Sequence, residues 1–293
     1  MQREKHIKSG RLLEVDFYPV FADGRRMPTR APKTKRSTAE QEKYNKKKAI
    51  RNFVRKVNAN FFTGDVFMHP TYEPGNAPYT ETDAKRDIAN FFRRVKTKRK
   101  SELKRVIKAV AALPGDKRLL GKRKKLEEPF KYAYRIEVET FKRGVRTGQQ
   151  RFHFHLFMTG GVDLTDIEEM WPLGGCNANR YQPEKYGPEA AALYSSKTTQ
   201  GKLKFGYSKN LAEPDESKVK DGHISAVGVE KLATQRIDDA AFWEKRHKGY
   251  KFLKCYSRYN SYNGFWYVSV VMYKPESEGV VPKWDADEWI DEF

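Results

Sequence analysis

From Phe130 to Met158 the chain alternates apolar and polar side chains, pauses, and alternates again. The first run is Phe130 to Glu139, the pause Lys142 to Gly148 contains Gly144 and Gly148, and the second run is Arg151 to Met158. Two period-2 segments about a glycine-bearing turn predict an antiparallel β-hairpin. Successive side chains of a strand face opposite ways, so His153 and His155 share a face with Cα atoms about 6.6 Å apart, and Phe154 points to the other. If the hairpin is centred near Val145, Glu137 stands directly opposite His153 and Glu139 one pair nearer the turn. A slip of one residue would turn both glutamates to the wrong face. Two imidazoles and a carboxylate on one face make a ligand set for a single cation. The plainer alternative is a pair of hydrogen-bonded histidines on a half-buried strand.

The rest of the chain favours a polyanionic partner. In 293 residues there are 58 Lys and Arg against 38 Asp and Glu, a formal net charge of +20. Such a field attracts nucleic acid before a membrane surface. No apolar run approaches the ~18 residues of a membrane span, and the Met1-Gln2-Arg3-Glu4-Lys5 start lacks the apolar core of a secretory signal, so a cytoplasmic protein without a membrane partner is expected. Cys176 and Cys255 alone offer neither a disulfide framework nor a structural zinc cluster. Gly115 to Arg123 does not match a phosphate-binding loop, because an extra residue precedes Gly121-Lys122 and Arg123 replaces Ser or Thr; a built-in ATPase is not expected.

Along the chain, Arg11 to Phe21 reads as a strand, and Gly24 to Lys48 as a basic arm, a solvated linker or a charged helix. Val66 to His69 reads as an internal strand ended by Pro70. Ile88, Phe91, Phe92 and Val95 place a helix over Thr82 to Lys100, with a second helix from Glu102 to Leu113 and a basic connection from there to Lys125. After the hairpin come a short helix (Leu164 to Trp171), a strand (Cys176 to Gln182), a helix opening at Gly187-Pro188-Glu189, a strand (Leu203 to Ser208) and a helix (Arg236 to His247). A second hairpin, Tyr250 to Tyr259 with Phe265 to Tyr273, turns at Asn263-Gly264. Tyr194 and Lys197, three apart on the Gly187 helix, would present a phenol and an ammonium side by side. The expected class is α+β, with an antiparallel central sheet carrying the histidines and helices packed on one side. Expected boundaries are an N-terminal strand and basic arm (1–57), a catalytic domain (58–211), an extension with a β-hairpin (212–274) and an acidic tail (275–293).

Other His-x-His folds fit less well. A metallo-β-lactamase pattern wants Asp where Phe157 stands, and a cupin pattern wants a carboxylate where Met158-Thr159-Gly160-Gly161 stands. His153-Phe154-His155, preceded by Phe61 to Pro70 (FFTGDVFMHP) and followed by Tyr194-Ser195-Ser196-Lys197, resembles the three motifs of the HUH endonucleases, and specifically the rolling-circle replication initiators of plasmids and phages. Trp171 to Gly175 and Tyr207 to Leu211 are also similar, so the resemblance spans Asn58 to Tyr273. It implies a fold like the RNA-recognition or ferredoxin-like sheet, and a metal-dependent nickase and strand transferase. His153, His155 and Glu137 would hold one divalent ion, Mn²⁺ or Mg²⁺, with His69 or Glu139 as alternatives to Glu137. Tyr194 would attack the scissile phosphate to leave a 5′-phosphotyrosine and a free 3′-hydroxyl, with Lys197 offsetting charge. The tyrosine follows the histidines, as in initiators and single-tyrosine transposases and unlike conjugative relaxases. Ala190 stands where a two-tyrosine initiator carries its second nucleophile, which implies one tyrosine per subunit.

The implied partners are single-stranded DNA at a replication origin, contacted by Lys202, Lys204 and Lys209, a host helicase and replisome, and a second copy of the chain. The terminal Asp291-Glu292-Phe293 is similar to the acidic, Phe-ended tip by which single-stranded-DNA-binding proteins recruit partners; a solubilising tail is the alternative. Two further functions stay open: an HUH transposase or mobilisation relaxase, and a non-catalytic basic nucleic-acid-binding protein with structural histidines.

Overall fold

The computed structural model describes residues 1–21, 39–183 and 204–275. In chain order its elements are β1 (Gln2–Ser9), β2 (Leu12–Pro19), α1 (Ala39–Asn60), β3 (Val66–Pro70), α2 (Glu81–Ala112), α3 (Lys117–Glu127), β4 (Tyr132–Thr140), β5 (Gln150–Met158), α4 (Leu164–Glu169), β6 (Cys176–Arg180), β7 (Lys204–Tyr207), β8 (Val219–Asp221), α5 (Ala226–Gln235), α6 (Ala240–Arg246), β9 (Lys251–Asn260) and β10 (Phe265–Tyr273). This is an α+β protein with two five-stranded antiparallel sheets, ordered β8-β1-β2-β10-β9 and β6-β3-β5-β4-β7. Its described residues group into two compact units, one drawn from 1–59 and 212–275 and the other from 60–183 and 204–211.

In the second unit β5 is the central strand, so both its neighbours are fixed by ladders. The face bearing Ile136, Phe154, Leu156 and Met68 packs in one core with Ile88, Phe91, Phe92 and Val95 of α2. Burying each such side chain stabilises by about 1.5–3 kcal/mol. Because strand faces alternate, this contact sends His153 and His155 to the sheet face away from α2. Gly206 in β7 is required by close approach: a Cβ there would lie 2.2 Å from the Tyr134 ring.

The first unit has a sheet with unlike faces. Leu13, Val15, Phe17, Val268 and Val270 pack with Val229, Leu232 and the fully buried Trp243 of α5 and α6. The other face turns Glu14 and Asp16 of β2 towards Arg51 and Arg55 of α1, which ion-pair with them.

Several elements differ from the sequence expectation. The two helices expected over Thr82–Lys100 and Glu102–Leu113 are one 32-residue helix, α2. Arg99 and Glu102, at the expected boundary between the two, are buried on the continuing stripe. Arg99 donates to the carbonyls of Lys125, Leu126 and Glu128, which satisfies its guanidinium inside the fold. The basic connection up to Lys125 is largely helical, α3, because Asp116 accepts from the N–H groups of Arg118 and Leu119 as its N-cap. The basic arm expected to Lys48 enters α1 from Ala39 onward. The helix expected over Arg236–His247 begins only at Ala240, capped by Asp239, and a separate helix, α5, precedes it behind the Ser225 cap. The helix expected from Gly187 and the acidic tail lie outside the described residues.

Strand β1 was not expected at all, since its buried face is polar. Gln2, Glu4 and His6 are all buried. Nε2 of His6 lies 2.6 Å from Oε1 of Glu4, and Arg246 donates to Oε2 at 2.8 Å. Burial would raise the Glu4 pKa, but the bonds to His6 and Arg246 outweigh it and hold the carboxyl at about 2. A depressed carboxyl stabilises fully above its unfolded value, near 4.5, and that contribution is lost as pH falls through about 2. Glu4→Gln is therefore expected to be less stable than the parent at pH 7, by roughly 1–3 kcal/mol. In urea unfolding between pH 7 and pH 2 the gap between the two proteins should close only below about pH 4.5; a gap independent of pH would contradict this role.

Candidate metal centre

The β4–β5 ladder pairs Glu137 with His153 and Arg135 with His155. That is the register expected from the hairpin centre, and it decides the site. Nε2 of His153 and Nε2 of His155 each lie 2.8 Å from the same oxygen, Oε2 of Glu137. One ligand atom from each of the three side chains lies within 4.8 Å of the others, so the group can hold a metal ion.

The donor set and spacing fit such an ion. Octahedral bonds of about 2.1 Å put neighbouring ligand atoms about 3.0 Å apart, close to the His–Glu separations here. As hydrogen-bond donors both Nε2 atoms carry the proton; with the proton on Nδ1 instead, they become lone-pair donors aimed at one spot. Burial lowers the pKa of His155, which keeps its imidazole neutral and available as a ligand. Burial alone would raise Glu137, but the hydrogen bonds from His153 and His155 bring it down to about 2, so the carboxylate is ionised. Imidazole nitrogen mixed with carboxylate oxygen suits Mn²⁺ and other first-row divalent ions better than the all-oxygen shell preferred by Mg²⁺.

Neighbouring strands hold the group in place. Thr71, just past β3, bridges to His153, and its N–H donates to the Gly175 carbonyl. The buried Trp171 donates its indole N–H to the Thr71 carbonyl at 2.8 Å. Thus Phe61–Pro70 and Trp171–Gly175, widely separated in sequence, meet at the edge of the histidine pair.

Of the alternative third ligands, Glu139 lies two pairs farther along the ladder, on the same face and opposite Arg151. His69 packs edge-on to His155 with ring centroids 4.6 Å apart, yet is not in the group of converging donor atoms. Burial and the neighbouring histidines lower its pKa to about 4. Tyr194, Lys197 and Lys202 lie outside the described residues. Lys204 opens β7, with its side chain outside the description, and Lys209 is exposed in the turn that follows. The structure thus brings together Glu137, His153 and His155 and does not bear on the placement of Tyr194 and Lys197.

Arg135 is the residue that sequence reasoning missed. It is fully buried, and its Nη2 lies 3.7 Å from Oε1 of Glu137. The same alternation that sets Glu137 opposite His153 sets Arg135 opposite His155, so the signal was present two residues upstream. One carboxylate cannot neutralise both a guanidinium and a divalent ion, so the loaded site would keep an excess of positive charge and favour an anion.

Comparison with protein-family models, curated proteins and solved structures finds no match. Among the described residues no helix is long and apolar enough to cross a membrane.

Mn²⁺ at a hundred times its dissociation constant should stabilise the protein by about 2.7 kcal/mol, seen as a rise of several degrees in melting temperature. Glu137→Ala and the double change His153→Ala with His155→Ala are each expected to abolish that rise, and chelation should reverse it. An undiminished rise in both variants would place the metal elsewhere.

Proposed function

We propose that this protein is an HUH-type DNA nickase and strand transferase that initiates rolling-circle replication. The observation that carries the proposal is the convergence of Glu137, His153 and His155 on one point of the central strand pair. An antiparallel sheet with its histidine strand at the centre and a long helix on the opposite face suits the ferredoxin-like HUH fold. Buried Arg135 beside the triad adds the positive charge that a phosphodiester would meet.

A divalent ion held by His153, His155 and Glu137 would polarise the scissile phosphate. The chain's own groups do the rest. The Tyr194 oxygen attacks phosphorus in line, loses its proton to solvent or a neighbouring base, and forms a phosphotyrosine as the bond to the 3′-oxygen breaks. Phenolate is also a good leaving group, so the linkage to the 5′-phosphate remains reversible and a free 3′-hydroxyl can later displace it. Lys197 offsets the charge that develops on the phosphate. Lys202, Lys204 and Lys209 guide a single strand past the site, with affinity that falls as salt rises. A host helicase and replisome would extend the 3′-end, recruited through the acidic tail, and a second subunit is a candidate source of the closing tyrosine.

The test is covalent capture. Incubated with a randomised single-stranded DNA library and Mn²⁺, the protein is expected to yield a denaturant-stable protein–DNA adduct that is lost in Tyr194→Phe and on chelation. Mobility shift without any covalent band would leave the binding-only function. An adduct undiminished in Tyr194→Phe would move the nucleophile to another residue. Sequencing the captured strands separates a replication origin from a transposon end or a transfer origin.

A further inference from the structure

The solvent side of α2 carries Lys96, Lys100, Lys104 and Lys108, four lysines at successive i,i+4 positions and all exposed. Such residues stand one above another on a helix. Over twelve residues at 1.5 Å they cover about 18 Å of the helix axis, in a row that drifts about 40° around the helix at each step. The buried stripe of the same helix, from Ile88 through Val95 and Arg99 to Val106, faces the sheet, so the lysine row is turned away from the histidine face.

None of the four lysines is in an ion pair among the described residues. Several other cations on these helices are paired, Lys98 with Asp166, Arg105 and Lys122 with Glu102, Lys125 with Asp65, whereas Arg93, Lys117, Arg118 and Lys124 are, like the row, in no ion pair among the described residues. Like charges four apart on a helix repel, so the row is a standing cost that the fold accepts along one line and offsets elsewhere. A polyanion with rigid, regular charge spacing removes that repulsion and releases its own counterions.

We propose that the α2 lysine row is a second nucleic-acid surface, which binds the phosphate backbone of duplex DNA without regard to sequence. Phosphates of one strand advance about 3.4 Å along a duplex axis, so an ~18 Å row spans about five of them. A single strand is the poorer fit, because it is held by stacking on exposed aromatics. The large apolar side chains exposed on α2, its C-cap and α3 are Ile107, Leu113 and Leu120, none of them aromatic. The surface does not depend on the nicking chemistry and would serve a binding-only protein equally.

The experiment compares K96Q/K100Q/K104Q/K108Q with a control of equal net charge, K218Q/K231Q/K245Q/K248Q, by fluorescence anisotropy on a random duplex of roughly 25 base pairs. Chelator is present throughout, so the result is separate from covalent capture. Glutamine preserves helix propensity, and circular dichroism checks that α2 remains folded. Each lost phosphate contact flattens the plot of log affinity against log salt by about 0.9, so the row variant should lose up to ~3.6 in slope and at least roughly tenfold in affinity near 0.1 M salt, with little change in the control. An unchanged slope in the row variant, or an equal loss in the control, would overturn the proposal. So would an intact duplex affinity accompanied by lost binding to single strands or to vesicles of anionic lipid.

Discussion

The candidate metal centre depends on one ladder of hydrogen bonds, the antiparallel pairing of β4 with β5. That pairing sets Glu137 beside His153 and within hydrogen-bond distance of both imidazoles. The ladder is itself fixed by what lies on the other face. Ile136, Phe154 and Leu156 are buried in the core that α2 also builds, and a one-residue slip would exchange that apolar set for two histidines, a glutamate and an arginine. Packing energy on one face of the sheet therefore specifies ligand geometry on the other.

Both units solve a related electrostatic problem, how to keep charge inside a small fold. Arg99 is surrounded by carbonyl acceptors, Glu4 by His6 and Arg246, and Glu14 by two arginines of α1. In each case at least one polar partner comes from a distant part of the chain, Arg246 for Glu4, so these groups lock tertiary structure as well as satisfying themselves. The candidate metal centre differs, because Arg135 lies beside the triad and, with an ion bound, the site would carry charge that an anion could complete. The α2 lysine row makes the same point on the outside.

Much of this was legible in the sequence where apolar and polar residues alternate cleanly. The period-2 runs from Phe130 to Met158 and the Asn263-Gly264 turn led to both hairpins, and the hairpin centre near Val145 led to the partner of His153. Legibility failed where polar residues are buried. The sequence QREKHIKS does not read as a strand, yet β1 is one: Gln2, Glu4 and His6 are buried, and Glu4 is held there by His6 and Arg246. The apolar spacing of Ile88, Phe91, Phe92 and Val95 stops at Val95, and the residues that carry the buried stripe of α2 onward, Arg99 and Glu102, are charged. Arg135 was overlooked for the same reason: a charged residue on a strand reads as solvent-facing until the partner that holds it is known. The α3 helix was hidden differently, by a dense run of basic residues whose order is set by one capping aspartate, Asp116.

The claim that most needs a direct measurement is that three side chains from one strand pair share a single ion. Electron–nuclear double resonance on Mn²⁺-loaded protein reports the nitrogen ligands of the metal. Two imidazole nitrogens are expected in the parent protein and one in either His153→Ala or His155→Ala. A spectrum of bound Mn²⁺ with no nitrogen coupling, or with coupling unaltered by both substitutions, would contradict the account.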